Sequence, residues 1–173
     1  MENQANSKSI MLNYGFYLGI AFVFVGLIKY ATGNLYEQEF YSGIVGFVLL
    51  ILFIILGIQK YRTNNSGFIS FGQSVKIGIG LTMIASLITI LYYFLLATVI
   101  EPDFVQNSII AQKTVLADSF GMSEGQIEEA TKNANDNFYL NMFGGILVFN
   151  LFIGGVVSLI AGAIMKKAEE DQY

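Results

Sequence analysis

The amino-acid sequence predicts an all-α membrane protein: four transmembrane helices in an antiparallel bundle, with a short helical extracytoplasmic insertion between helices 3 and 4. Three observations carry this prediction. Apolar residues make up 54% of the 173 positions and charged residues only 13%, against about 25% charged in a soluble domain. Too few polar side chains remain to coat a water-facing surface. The apolar residues also fall into four blocks, each long enough to cross a hydrocarbon core of roughly 30 Å at 1.5 Å per helical residue. Finally, the lysines and arginines are unevenly divided between the connections.

The expected spans are residues 10–30, 40–58, 75–100 and 142–165, within a single membrane domain over residues 1–173. Residues 40–58 carry no charge, and 142–165 are uncharged with Asn150 and Ser158 as polar interruptions. Lys8 precedes the first block as in a signal peptide. The run is about 20 residues long and no small-x-small cleavage site follows it cleanly, so a retained helix is expected. Lys76 lies just inside the third block, where its long side chain can snorkel to the headgroups.

Orientation follows from the basic residues, which bias a connection toward the cytoplasm. Lys8, Lys60, Arg62, Lys76, Lys166 and Lys167 fall on one side, whereas Lys29, Lys113 and Lys132 fall on the other. Both termini in the cytoplasm is the consistent arrangement. Tyr14, Tyr17 and Tyr61 then lie near the inner interface. Tyr30, Tyr36, Tyr41 and Tyr139 lie near the outer one, where amphipathic rings prefer to sit. Tyr92 and Tyr93 sit deeper and are candidates to face the bundle.

Residues 101–137 form the outer helical insertion, with seven acids against two bases. Pro102 disfavours helical geometry at Glu101 and ends the third span. Val105, Ile109, Leu116 and Phe120 recur near helical spacing, so a helix from Asp103 to about Ser119 is expected, with Gly121 as its stop. Ser123 and Gln126 fit a capping box, and Ile127, Ala130, Ala134 and Phe138 continue at helical spacing into a second short helix. A solvated cap with an apolar underside is one reading of this segment. A lid or docking surface is the other.

Within the spans, Gly15 and Gly19 form a GxxxG pair. Gly78, Thr82 and Ser86 line one face of the third helix, and Gly154, Ser158 and Gly162 one face of the fourth. Small residues every four positions allow close backbone approach where lipid supplies no hydrophobic drive for association. Packing within the bundle is the expected use, and a homodimer contact the alternative. Asn150 should point inward and hydrogen-bond a neighbouring helix, because an unpaired amide in hydrocarbon is costly. Lys29 either snorkels or pairs with Glu37, Glu39 or Glu101 at a polar outer mouth. A short echo, Gly43-Ile-Val-Gly-Phe47 in the second span and Gly145-Ile-Leu-Val-Phe149 in the fourth, hints at two related hairpins.

The chain has no cysteine and no histidine, which removes thiolate nucleophiles, imidazole bases and the usual zinc ligands. No acid lies inside a span, so the buried carboxylates of proton-coupled pumps are missing. With no basic cluster longer than Lys166-Lys167, nucleic acid has no electrostatic footprint. No catalytic, cofactor-binding or metal-ligating residue stands out, no cofactor is expected, and an enzyme is not the expectation.

Three stretches in order, Phe68-Ile-Ser-Phe-Gly-Gln-Ser-Val-Lys-Ile-Gly78, Glu101-Pro-Asp-Phe104 and Met122-Ser-Glu-Gly-Gln-Ile-Glu-Glu-Ala130, resemble the family known as domain of unknown function 4199. The likeness spans nearly the whole chain. It implies a small four-pass inner-membrane protein, mainly of Bacteroidota-type bacteria, with no assigned activity, cofactor or catalytic residue. Independently of it, Ser70 reads as the cap of the third helix. The functional expectation is a structural or interaction role in the cell envelope, the partners being the lipid bilayer and a second copy or another envelope protein. The competing expectation is a small transporter or channel subunit with a polar path near Lys29, Asn150 and the Thr82, Ser86, Thr89 series.

Overall fold

A computed structural model describes residues 6–37, 40–134 and 136–167. Four long apolar helices cross the bilayer: α1 (Ser7–Ala31), α2 (Phe40–Asn64), α3 (Phe71–Leu95, continued by a π-helical turn Leu96–Ile100) and α6 (Phe138–Met165). Between α3 and α6 lie two short helices, α4 (Phe104–Asp118) and α5 (Glu124–Thr131). The result is an all-helical, four-pass membrane protein with a helical insertion before its last span. The start of α1, the α2–α3 loop and the end of α6 share one end of the bundle, and the end of α1 and the insertion share the other.

The helices outrun the apolar blocks because polar residues extend and cap them. Asn6 accepts from the Ser9 amide at the start of α1. At α3, Ser70 Oγ accepts from Gln73 N–H while Gln73 Oε1 accepts from Ser70 N–H, a complete capping box that starts the helix four residues before Ser74 and its buried face. At α5 the Gln126 carbonyl accepts from both the amide and the hydroxyl of Ser123.

Glu101 is extended at φ −129°, ψ 87°, as the following proline requires, and Gly121 takes the left-handed φ of 62° that stops α4. One expectation fails at α5, which ends at Thr131 and does not carry Ala134 and Phe138 on its face. Asn137, whose side-chain amide donates to the Asn133 carbonyl at 3.4 Å, competes for backbone hydrogen bonds where the helix breaks. Phe138 instead opens α6.

Helix α3 is the hub: it packs against α1, α2 and α6 and buries a full stripe from Ser74 to Tyr92. Neighbours in sequence run antiparallel, yet one of its two closest partnerships is with α1, which runs parallel to it. Gly15, Gly19 and Gly26 meet Ile84, Ile88 and Tyr92 in ascending order, close enough that a Cβ on Gly15 or Gly19 would lie 2.8 Å from an isoleucine Cβ.

The α3–α6 seam has the opposite sense. Ser74, Gly78 and Thr82 meet Gly162, Ser158 and Gly154 in a fixed register, one small residue against another at every turn. Asn150 continues it by donating to Ser86 Oγ at 3.2 Å. The expected small-residue faces therefore pack within the chain. Their hydroxyls are satisfied inside their own helices: Thr82 bonds the Gly78 carbonyl at 2.7 Å, Ser86 bonds Thr82 at 2.9 Å, and Ser158 bonds Gly154.

At the end that holds the start of α1 and the end of α6, the bundle is closed. The backbones of Ile69 and Lys167 exchange two hydrogen bonds of 3.0 and 3.1 Å, which clasp the α2–α3 loop to the end of α6, and Ile69 is buried beneath them. The α2 residues Leu50, Ile54, Gly57, Ile58 and Tyr61 are all buried in this half. In the other half of α2, from Phe40 to Leu49, none is buried.

Candidate functional site

Because α2 packs along only half its length, a cavity of about 560 Å³ opens in the half of the bundle nearest the insertion. All four spanning helices line it. Its walls are apolar, with Phe22 from α1, Phe47 and Leu50 from α2, and Phe149 and Ile153 from α6. Polar groups stand at two levels: Lys29 near the insertion end of α1, and Asn150 with Thr89 deeper in. Glycines supply the space. A Cβ on Gly43 or Gly145 would meet nothing within 4 Å, and one on Gly46 would just reach Phe22 at 4.0 Å. Elsewhere in the spans, Gly15, Gly78 and Gly154 are in steric contact.

Lys29 is half-buried, and its ammonium donates to the backbone carbonyl of Glu37 at 2.7 Å. The bond to Glu37 thus runs to the main chain, not to the carboxylate; Glu39 lies outside the described residues. Asn150 does point inward as its burial cost demands, spending one N–H on Ser86 while its side chain borders the cavity. Of the hydroxyl series, Thr82 and Ser86 are wholly enclosed in the α3–α6 seam and only Thr89 borders the cavity. The series does not form a continuous polar path. Both deep tyrosines face the bundle, with Tyr93 on the cavity wall and Tyr92 buried against Gly26. The Tyr92 hydroxyl, beside that cavity-lining glycine, is the one buried side-chain polar atom without a partner among the described residues.

An aromatic cluster sits beside the mouth. Phe104, the first residue of α4, is buried, its ring centroid 5.9 Å from that of Tyr36, 6.1 Å from Tyr93 and 6.1 Å from Phe138. One side chain thus ties the insertion to the α1–α2 loop, α3 and α6. Asn107 adds a bond to the Tyr36 hydroxyl at 3.5 Å. Burial is the main cause that pushes the Tyr36 phenol above its ordinary value, opposed by the Asn107 bond and aided by the charges of Glu101 and Asp103.

Sequence reasoning found Lys29, Asn150 and Thr89 but missed the cavity walls. The signal was present in the echo of Gly43…Phe47 and Gly145…Phe149, since both pairs line the cavity from the parallel helices α2 and α6. Without the structure, a glycine that provides space cannot be told from one that permits contact.

Fold and site together define a four-pass helical membrane protein with a half-open core. The model of the family described as "Protein of unknown function (DUF4199)" matches residues 13–167, and the chain belongs to that family, as the resemblance of its motifs implied. No curated protein and no solved structure matches it.

Proposed function

We propose that this is a non-enzymatic protein of the bacterial inner membrane, with both termini cytoplasmic, which admits a small ligand to its cavity from the outer side, as a small transporter or channel subunit does. The cavity carries the proposal: about 560 Å³ falls within the roughly 300–1,000 Å³ of small-molecule sites, which are mostly apolar with a few placed polar groups. Lys29, Thr89 and Asn150 are such groups. The closed half of the bundle beneath supports an outward-open state. The small-residue faces named as an alternative homodimer contact pack within the chain.

The test uses single cysteines in this cysteine-free chain. Gly43→Cys and Gly145→Cys, both with room for a side chain, are expected to react with a membrane-impermeant thiol reagent in intact cells. Ser158→Cys, in the closed seam, is expected to stay protected. Protection at both glycine positions would overturn the reading.

A second reading, a structural or interaction role through the insertion, draws on the exposure of Ile110 at 52% and Phe120 at 72% outside the spans. An envelope protein or a second copy would cover them. Crosslinking in mild detergent tests it: a strictly monomeric protein with no enriched partner would end this reading.

A further inference from the structure

We infer that the cavity takes a single-chain anionic amphiphile, its acidic head group at Lys29 and its apolar chain running between Phe47 and Phe149. The inference rests on the ligand-binding reading above. Lys29 is the one charged residue among those that line the cavity. An ammonium has three N–H donors, and the Glu37 carbonyl takes one of them at 2.7 Å. Among the described residues no other group takes the remaining two, which leaves them to an acceptor in the mouth, and an ionised acceptor makes the stronger bond. A cationic ligand would face a like charge there.

The rest of the lining selects against a wholly polar ligand. Below Lys29 the walls are mostly phenylalanine, leucine, isoleucine and glycine, and the few polar groups there, Tyr93, Thr89 and Asn150, leave most of a wholly polar solute without hydrogen-bond partners. The lining runs from Ser42 to Leu50 on α2 and from Gly145 to Ile153 on α6, eight helical steps in each case, about 12 Å of helix rise. That depth is less than half the roughly 30 Å hydrocarbon core. A short chain therefore fills the cavity and stops at the level where the Asn150–Ser86 bond and the Thr82–Gly154 contact close the seam. Gly43, Gly46 and Gly145 keep the walls clear of side chains along this course. Phe47 and Phe149 line it from α2 and α6.

The experiment titrates decanoate, decyl phosphate and decanol into the full chain in nanodiscs of zwitterionic lipid, followed by native mass spectrometry. Both anions are expected to bind the wild type. Lys29→Gln weakens them by about tenfold or more, the worth of a hydrogen bond to a charged group, and leaves decanol unchanged. Gly145→Phe, or Gly43→Phe should the first fail to fold, places a ring in the cavity and abolishes binding of all three. Binding of one anion and not the other upholds the inference and identifies the head group as carboxylate or phosphate. Equal binding of decanol and decanoate, or a Lys29→Gln variant that binds decanoate normally, overturns it. If none of the three binds while Gly43→Cys and Gly145→Cys are labelled, the inference fails and the cavity reading stands. Protected cysteines would remove both.

Discussion

Replacing Gly78 by alanine would set a methyl group into the Ser158 hydroxyl, 2.7 Å from Ser158 Cβ and 3.3 Å from Ile54 Cγ2. Contacts under 3.0 Å are not tolerated, and neither partner can yield easily: Ser158 and Ile54 are both fully buried. Either α6 moves off α3 or Ser158 leaves its rotamer and its bond to the Gly154 carbonyl. Overpacking of a close-packed site costs about 1–3 kcal/mol, roughly a 5- to 150-fold loss in the folding equilibrium at about 1.4 kcal/mol per tenfold. Removing the obstacle should restore the seam. Ser158→Gly alone forfeits one hydroxyl bond within its own helix, about 1 kcal/mol. In the double variant Gly78→Ala/Ser158→Gly the new methyl occupies the space the hydroxymethyl group vacated.

The double-mutant cycle should therefore show a favourable coupling of about 1–2 kcal/mol between directly facing positions. Gly155→Ala on the same helix, where a Cβ meets nothing within 4 Å, serves as control and should shift stability by no more than about 0.5 kcal/mol. Reversible unfolding in mixed micelles, titrated with sodium dodecyl sulfate, reads all four variants. A Gly78→Ala protein as stable as wild type, or a double variant no better than the sum of its parts, would refute the register of the α3–α6 seam.

Two further outcomes follow from the geometry. Phe104→Ala strips the aromatic cluster of its centre, and truncating a buried phenylalanine costs about 3–5 kcal/mol; proteolysis within residues 104–131 should accelerate while helical circular dichroism from the spans persists. An unchanged protease half-life would show that Phe104 does not anchor the insertion. For orientation, Ser119→Cys should label from outside intact cells and Ser66→Cys should not, and the reverse pattern would invert the assigned topology.

The spans were legible in the sequence because the bilayer imposes a length and forbids charge, and residues 40–58 and 142–165 obey both without exception. Helix ends were less legible. Capping at Ser70 extends α3 through residues of mixed polarity, and the break after Thr131 depends on asparagines outbidding a continued apolar spacing. The seams were half legible. Small residues at four-residue intervals announce close packing, but nothing in Gly15 and Gly19 says that their partner is the parallel α3 and not the adjacent α2. Least legible was the cavity, because it depends on where α2 does not touch its neighbours. A Cβ on Gly57 would lie 3.0 Å from Leu81 Cδ2 while one on Gly43 would meet nothing within 4 Å, and the two residues are identical on paper.

The pairing of α1 with α3 has a consequence for biosynthesis. The glycine face of α1 finds its isoleucine partners 69 residues further along the chain, so at about 5–20 residues per second translation takes roughly 3 to 14 s to deliver them. Through that interval the glycine face of α1 lacks the α3 side chains that cover it in the folded chain. The nascent hairpin must wait beside the insertion machinery, or be held by it, until the third helix arrives and gives the first its seat.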